Sequence, residues 1–228
     1  MKIGIIGGLG PLATVKFMEM LEKRLKNYNK EYEITIINDP TTPDRTSYIL
    51  DNNKDNPINS ILNMVKKLEN FNSDILVMPC NTASYFYKEI TDNTNLLFIN
   101  IVKETVDYLN KINIKKVGLL ATDGTIKSKI YEDLLNNYNI ELIIPNKYDK
   151  NIISSIIYDG IKSGKNIDLK KFYDVLNDLK NLGCEKIILG CTELSVLKEL
   201  YNLNDKILVD AMEILADNTI NYIKNTNN

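Results

Sequence analysis

The stretch Ile75-Leu-Val-Met-Pro-Cys-Asn-Thr-Ala83 joins a short apolar run to a turn that carries a cysteine and small polar residues. An uninterrupted apolar run of this length is typical of a strand buried on both faces of a parallel sheet. Seven similar runs occur along the chain, with amphipathic helical patterns between them. This alternation predicts an α/β fold with right-handed crossovers. The predicted strands are Lys2–Gly7, Glu33–Asn38, Asp74–Met78, Leu96–Ile99, Lys116–Ala121, Glu141–Ile144, Lys186–Leu189 and Lys206–Val209.

A weak internal repeat divides the chain into two halves. Lys2-Ile-Gly-Ile-Ile-Gly-Gly-Leu-Gly10 is similar to Lys116-Val-Gly-Leu-Leu-Ala-Thr-Asp-Gly124, and the stretch around Cys80 is similar to Ile187-Ile-Leu-Gly-Cys-Thr-Glu-Leu194. We therefore predict two pseudo-symmetric, Rossmann-like parallel-sheet domains that face one cleft. Because ligands bind at the carboxyl ends of parallel strands, Cys80 and Cys191 should lie on opposite walls of that cleft.

The repeat also predicts the domain boundaries. Residues 1–100 form an N-terminal α/β domain that carries Cys80, and residues 101–209 form a C-terminal α/β domain that carries Cys191. The boundary falls near Asn100, after the predicted strand Leu96–Ile99. Residues 210–228 form a helix that we expect to pack back on the first domain, because no partner strand follows it.

The composition narrows the classes of function. The 228 residues carry a net charge of −2, with 44% hydrophobic and 25% charged residues, which is ordinary for a globular protein. Nucleic acid is disfavoured as the main partner because phosphate binding needs a basic surface. No apolar run has the length of a membrane span, and the N-terminal apolar stretch is too short for a signal peptide. We therefore predict a cytoplasmic protein with no membrane or nucleic-acid partner, whose three cysteines are free thiols.

The two cysteines at matched places predict acid–base chemistry on a carbon atom. The sequence has no histidine, which removes the base that Cys–His hydrolases use. Three scattered cysteines are too few for a structural zinc site, and the absence of a C-x-x-C pair disfavours thioredoxin-like redox chemistry. What remains is a thiolate that removes a proton from carbon and a thiol on the opposite face that returns one. We therefore predict no metal site.

The local context of the thiols predicts that they are reactive. Each cysteine ends a predicted strand and begins a predicted helix, where unpaired N–H groups and the helix dipole stabilise an anion. We therefore expect their pKa values to fall below the ordinary value of about 8.5. The alternative is that each is a small buried hydrophobic residue. The matched placement of Cys80 and Cys191 favours the catalytic interpretation, whereas Cys184 lacks it and is predicted to be structural.

Four motifs together resemble the aspartate/glutamate racemase family, and its cofactor-independent aspartate racemase branch most closely. They are Gly7-Gly-Leu-Gly-Pro-Leu-Ala-Thr14, Asn38-Asp-Pro40 with Pro43-Asp-Arg-Thr46, Pro79-Cys-Asn-Thr-Ala83, and Gly190-Cys-Thr-Glu193. The resemblance covers nearly the whole chain. It implies racemisation of an acidic amino acid with no cofactor and without pyridoxal phosphate, a small-molecule amino-acid substrate, and a homodimer.

The resemblance also implies roles for individual residues. Cys80 and Cys191 take the two proton-transfer positions, Arg45 binds the side-chain carboxylate, and Lys162 is the second carboxylate-binding cation. The α-amino and α-carboxylate groups are held by Asn81, Thr82, Ala83 and Thr192. Glu193 either contacts the ligand ammonium or favours the helix dipole. The loop that contains Gly8 and Leu9 forms a wall of the cleft.

Two departures from the motifs bear on the substrate. Ser84 and Asp39 stand where aspartate racemases often have histidine, and Ser84 is the residue found in glutamate racemases. The second cysteine motif lacks the histidine of glutamate racemases, and the first loop lacks their aspartate. These departures leave the choice between aspartate and glutamate open, whereas the resemblance as a whole favours aspartate, with glutamate as the second candidate.

Several alternatives stay open from the sequence alone. Residues 8–13 fit G-x-G-x-x-A after a strand, a dinucleotide fingerprint, although the nearest acidic residue, Asp39, is 29 residues after Gly10. Arg45 also fits a surface arginine, and Lys162 a lysine on a solvated helix. Another cofactor-free enzyme of this superfamily, such as a decarboxylase or a cis–trans isomerase, fits the same motifs. A catalytically silent protein that binds acidic ligands is the alternative from another class.

Overall fold

The computed structural model describes residues 1–26 and 31–226. Its strands form two four-stranded parallel sheets, and both sheets have the same strand order, β2-β1-β3-β4 and β6-β5-β7-β8. The strands are β1 (Lys2–Gly7), β2 (Glu33–Asn38), β3 (Ile75–Val77), β4 (Leu97–Ile99), β5 (Lys116–Leu120), β6 (Glu141–Ile143), β7 (Lys186–Leu189) and β8 (Leu208–Asp210). The identical order of the two sheets confirms the predicted pair of pseudo-symmetric α/β domains.

Helices flank both sheets. They are α1 (Pro11–Leu25), α2 (Arg45–Leu50), α3 (Ile58–Asn70), α4 (Tyr87–Thr91), α5 (Ile101–Lys111), α6 (Asp123–Lys127), α7 (Ile130–Asn136), α8 (Lys147–Ser155), α9 (Leu169–Asn181), α10 (Thr192–Leu200) and α11 (Ala211–Thr226), together with a 3-10 helix (Thr82–Phe86) and a π-helix (Ile156–Lys162). None of the described helices is both long enough and apolar enough to cross a lipid bilayer.

The burial of the strands separates central strands from edge strands. The central strands β1, β3, β5 and β7 are almost wholly buried, as their uninterrupted apolar runs predict. The edge strands β2 and β6 are only half-buried, so the expectation of burial on both faces is wrong for them. The last strand also begins two residues later than predicted, at Leu208.

The helix that follows the last strand of each sheet packs against helices of the other sheet. Helix α5 follows β4 and lies against α7, whereas α11 follows β8 and lies against α1, and α5 and α11 also contact each other. Both helices have the same kind of N-cap. Asn100 Oδ1 and Asp210 Oδ1 each accept a hydrogen bond from the backbone N–H two residues later. The division into 1–100, 101–209 and 210–228 stays a prediction, and residues 227–228 lie outside the described residues.

Gly8 allows two loops to approach each other. Its φ is +85°, and a Cβ at this position would lie 2.4 Å from the Asp39 carbonyl carbon. Gly164 has a similar φ of +69° but has open space around the position of a Cβ. We therefore expect Gly164→Ala to lower the free energy of unfolding by about 1 kcal/mol, from backbone strain alone. Gly8→Ala should cost roughly 2–3 kcal/mol, because the clash adds to the strain.

Denaturant unfolding of the two glycine variants measures this difference. The comparison is matched because each variant adds one methyl group at a glycine with positive φ. Equal losses of stability in both variants would show that the loop containing Asp39 moves away from Gly8 at little cost.

Candidate active site

Both predicted catalytic thiols line one small cavity between the two sheets, which we call the inner cavity. It lies beyond the carboxyl ends of β1, β3, β5 and β7. About 10 Å³ of it can hold the centre of a water molecule, roughly the space for one water. Its walls are Leu9, Asp44, Arg45, Thr46, Cys80, Asn81, Thr82, Thr122, Tyr158, Lys162, Cys191, Thr192 and Glu193.

A larger outer cavity of about 470 Å³ adjoins the inner one and opens towards solvent. Its walls include Gly8, Gly10 and Leu12 from the first loop and the start of α1. The two cavities share five wall residues, which therefore separate the inner cavity from the outer one: Leu9, Asp44, Arg45, Lys162 and Glu193.

Cys80 is buried three residues after the end of β3, next to the 3-10 helix. Burial raises the pKa of the Cys80 thiol above its ordinary value, because desolvation disfavours the thiolate. The positive charge of Arg45 and a hydrogen bond from the Ala83 backbone N–H act in the opposite direction on this pKa. The net rise contradicts the expectation that the helix start lowers the pKa of this thiol.

Cys191 has a different electrostatic environment. It is the N-cap of α10, and its S–H donates a hydrogen bond to Glu193 Oε2 at 2.9 Å. Burial, followed by the negative charge of Glu193 and this hydrogen bond, raises the pKa of Cys191 well above its ordinary value. Lys162 opposes the rise of this pKa only in part. The expected lowering by the helix N-terminus is therefore wrong here too, because burial and the carboxylate outweigh the helix dipole.

Arg45 is buried, so the interpretation as a surface arginine is wrong. It is the first residue of α2, where Asp44 caps the helix by accepting a hydrogen bond from Ser47 N at 2.7 Å. Its guanidinium donates to the backbone carbonyls of Leu9, Thr42 and Pro43. Within the described part of the chain, Arg45 Nε is buried without a hydrogen-bond partner. The arginine thus holds two loops together and keeps one buried donor unused.

Lys162 and Glu193 form an ion pair in the wall between the two cavities. Lys162 Nζ lies 3.8 Å from Glu193 Oε1 and 4.5 Å from the centroid of the Tyr158 ring. Lys162 is the last residue of the π-helix, a rare geometry that is frequent at functional sites. Lys162 is exposed, but a charge and a ring hold its ammonium group against the site.

Three threonine hydroxyls join the two halves beside the inner cavity. Thr82 Oγ1 lies 3.0 Å from Thr122 Oγ1 and 2.9 Å from Thr125 Oγ1, and all three side chains are buried. Thr122 lines the cavity, although it is not among the predicted site residues. Its signal was present, because Thr122 lies in the second copy of the repeat, Lys116–Gly124, after the strand that corresponds to β1. Asp44, Thr46 and Tyr158 are further wall residues that were missed.

The structure brings nearly all the predicted site residues together. Every one of them lines the inner cavity except Gly8 and Ala83. Gly8 lines the outer cavity, and its N–H donates to Thr14 Oγ1 at 3.0 Å. Ala83 is fully buried behind Cys80, and contributes its backbone N–H. Cys184 lies elsewhere, in the hydrophobic core.

The surroundings of the glycine loop do not support the dinucleotide alternative. Glu193 Oε1 lies 2.6 Å from where a Cβ of Gly10 would be, so a carboxylate already stands beside the start of α1. A dinucleotide would place its pyrophosphate at this helix start, where the two anions would repel each other. Asp39, the candidate ribose ligand, instead accepts hydrogen bonds from Thr41 N and Thr41 Oγ1.

Among residues 1–26 and 31–226, no group of three or more histidine, cysteine, aspartate or glutamate side chains is placed to hold a metal ion.

Comparison with known proteins places the chain in a family. Residues 6–219 match the family described as Asp/Glu/Hydantoin racemase. The chain belongs to this racemase family. Its members are isomerases, so the protein is an enzyme of that class.

Several relatives show how widely this racemase family shares the fold and the sequence. The structure of Picrophilus torridus aspartate racemase has a TM-score of 0.79 and 33% identity, covering 97% of this chain and 93% of that chain. The broad specificity amino-acid racemase RacX of Bacillus subtilis is 27% identical over 225 residues, 96% of each protein. The glutamate racemase of Aquifex pyrophilus is 28% identical over 229 residues, 98% of this chain and 84% of that protein.

Proposed function

We propose that this protein racemises an acidic amino acid, with aspartate as the favoured substrate and glutamate as the second candidate, by proton transfer between Cα and two thiols. The observation that carries the proposal is that Cys80 and Cys191 line one cavity together with Arg45 and Lys162. Two cations match a substrate with two carboxylates, and two thiols match a carbon acid that is inverted. No cofactor is needed for this chemistry.

Two unused donors supply the contacts that an anionic substrate needs. Within the described residues, Arg45 Nε and Asn81 Nδ2 are buried without hydrogen-bond partners, and both residues line the inner cavity. A buried donor without an acceptor costs free energy, which a bound carboxylate recovers. As the α-proton leaves, negative charge spreads onto the α-carboxylate, so donors placed there stabilise the transition state more than the ground state.

The proton balance needs one thiolate and one thiol in each turnover. The thiolate takes the α-proton and becomes a thiol, while the other thiol gives its proton to the opposite face of Cα and becomes a thiolate. Turnover therefore exchanges the roles of the two cysteines. The reverse reaction, or proton exchange with solvent, restores the starting form.

The charges around the two thiols make them unequal at rest. Cys80 is influenced most, after burial, by the cation of Arg45, and Cys191 by the anion of Glu193. Cys80 therefore loses its proton more readily than Cys191, so the thiolate forms first on Cys80. The equilibrium constant of a racemisation is one, so kcat/KM must be equal in the two directions. The asymmetry between the thiols therefore appears as different values of kcat and of KM for the two enantiomers.

Substrate entry requires the wall between the two cavities to open. An amino acid is several times larger than the water-sized inner cavity. The contacts that close the wall are the hydrogen bond from Arg45 to the Leu9 carbonyl and the Lys162–Glu193 ion pair. A carboxylate that binds Arg45 and Lys162 replaces both contacts, so binding and opening are coupled.

Incubation with L-aspartate in D₂O, with no cofactor added, tests the proposal. We expect D-aspartate to form with deuterium at Cα, and L-glutamate run in parallel assigns the preference between the two substrates. The proposal fails if neither amino acid gains deuterium or changes configuration. Release of carbon dioxide, or a double-bond product, would assign the other cofactor-free reactions.

Glu193→Gln should move the alkaline limb of the kcat/KM profile to lower pH. Cys191 donates a proton only while it is protonated, and the charge of Glu193 is one of the causes that raise its pKa. Glutamine keeps the size and the acceptor oxygen but removes the charge, so the pKa of Cys191 falls and its proton is lost at lower pH. The profile of kcat/KM reports the free enzyme, which is the form described above.

Glu199→Gln is the matched control for this prediction. Glu199 lies in the last turn of the same helix, α10, and pairs with Lys16 at 3.1 Å. Glu199→Gln should leave the alkaline limb of the kcat/KM profile at the same pH as in the wild type. An unmoved limb in Glu193→Gln would show that Cys191 does not depend on the carboxylate.

We also propose a homodimer and a cytoplasmic location, which rest on the resemblance and the composition. Light scattering of the purified protein measures the first, and cell fractionation the second.

A further inference from the structure

Tyr131 reaches from the second half of the molecule to a site residue in the first. It is the second residue of α7, and its side chain is 1% exposed. Its hydroxyl donates a hydrogen bond to Asn81 Oδ1 at 2.6 Å. The residue before α7, Lys129, has a left-handed backbone with a φ of 58°, an uncommon conformation for a lysine. The turn that directs Tyr131 towards Asn81 is therefore held at a backbone cost.

The hydroxyl of Tyr131 decides which way the Asn81 amide faces. Burial raises the pKa of Tyr131, so the phenol keeps its proton at working pH and donates it. An amide has one acceptor and one donor end, so an Oδ1 that faces Tyr131 leaves Nδ2 on the other side. Within the described residues, Nδ2 is buried without a partner, and Asn81 lines the inner cavity. The opposite orientation would turn a carbonyl oxygen towards an anionic substrate.

We propose that Tyr131 is a positioning residue that holds the Asn81 amide so that Nδ2 donates to the substrate carboxylate. The inference rests on the proposed racemase function, and it adds a residue that does not touch the inner cavity itself. The hydrogen bond joins the two halves, because its donor and its acceptor come from different halves. The donor end of Asn81 is therefore oriented by a contact from the opposite half of the molecule.

Tyr131→Phe tests the inference, because it keeps the buried ring and removes only the hydroxyl. We expect kcat/KM for aspartate to fall about tenfold, in proportion to one hydrogen bond to a charged group. The fall should be mainly in kcat, since charge on the carboxylate grows in the transition state. In an Asn81→Ala background the same substitution should have no further effect on kcat/KM, because Tyr131 acts through Asn81.

A second variant, at Asn81, tests the inference if Tyr131→Phe is poorly folded. Asn81→Asp keeps the acceptor for Tyr131 but replaces the Nδ2 donor with an oxygen. It should lose at least as much activity as Asn81→Ala, since a carboxylate oxygen then faces the substrate carboxylate. Full activity in Asn81→Asp would overturn the inference, because no donor would then be needed at this position.

Tyr138→Phe is the control for losing a tyrosine hydroxyl. Tyr138 lies just after α7 and donates to Asp107 Oδ1 at 2.9 Å on the exposed surface. This variant should keep wild-type kcat and KM. The inference is wrong if the wild type racemises aspartate and Tyr131→Phe matches it, or if the effect persists in Asn81→Ala. A wild type that neither racemises nor exchanges the α-hydrogen would instead overturn the proposed function.

Discussion

Cys80→Ala and Cys191→Ala should each lower the rate of racemisation by at least about 10³-fold, the upper part of the range for general acid–base catalysis. Inversion at Cα needs proton transfer on both faces, and each thiol serves one face. Both cysteines line the inner cavity, which has room for about one water molecule, so bulk water is a poor substitute for either thiol. Chiral chromatography of aspartate after incubation measures the loss.

Each single-thiol variant should still exchange the α-hydrogen of one enantiomer without inverting it. The remaining thiol removes the proton on its own face and returns deuterium from solvent to the same face. The two variants should therefore prefer opposite enantiomers of aspartate in D₂O. Exchange of the same enantiomer by both variants would show that the thiols do not lie on opposite faces of Cα.

Cys184→Ala is the matched control, because it removes the third thiol of the chain. Cys184 is buried in the hydrophobic core, away from the inner cavity. Its replacement should leave the rate of racemisation close to that of the wild type. Retained racemisation in Cys80→Ala, at the rate of this control, would rule out the two-thiol mechanism.

Much of the fold was predictable because strand burial and loop position are visible in a sequence. The apolar runs marked all eight strands, and the repeat of Lys2–Gly10 in Lys116–Gly124 indicated two similar halves. Side chains that follow parallel strands meet at one edge, so the position of both cysteines in the chain was enough to place them in one cleft. The edge strands were less predictable, because their burial depends on which strands are neighbours.

The electrostatics of the site could not be predicted from the sequence. Position at a helix start favours a low thiol pKa, but the pKa values of Cys80 and Cys191 are raised because both side chains are buried. Glu193 is two residues after Cys191, and only its side-chain conformation brings the carboxylate to the thiol. The role of Tyr131 could not be predicted either, since its contact with Asn81 joins residues 50 positions apart.

Arg45→Gln should lower kcat/KM for aspartate by roughly 100-fold or more, the cost of removing one partner from a buried, hydrogen-bonded charge pair. The guanidinium is buried, so water does not replace it as a partner for the substrate carboxylate. Its hydrogen bonds to the carbonyls of Thr42 and Pro43 are lost as well, which loosens the wall of the inner cavity. KM should therefore rise strongly, and the variant should still fold, because α2 keeps its Asp44 cap.

The same variant should also move the acid limb of the kcat/KM profile to higher pH. The positive charge of Arg45 opposes the rise of the Cys80 pKa that burial causes, so its removal raises that pKa further, and the thiolate forms only at higher pH. Glu193→Gln moves the alkaline limb to lower pH, so the two variants shift different limbs in opposite directions. Arg24 is the only other arginine of the sequence, and it pairs with Asp217 away from the site. Arg24→Gln is therefore the control, and it should change neither limb of the profile nor KM. A raised KM with an unmoved acid limb would mean that Arg45 binds the substrate without tuning Cys80.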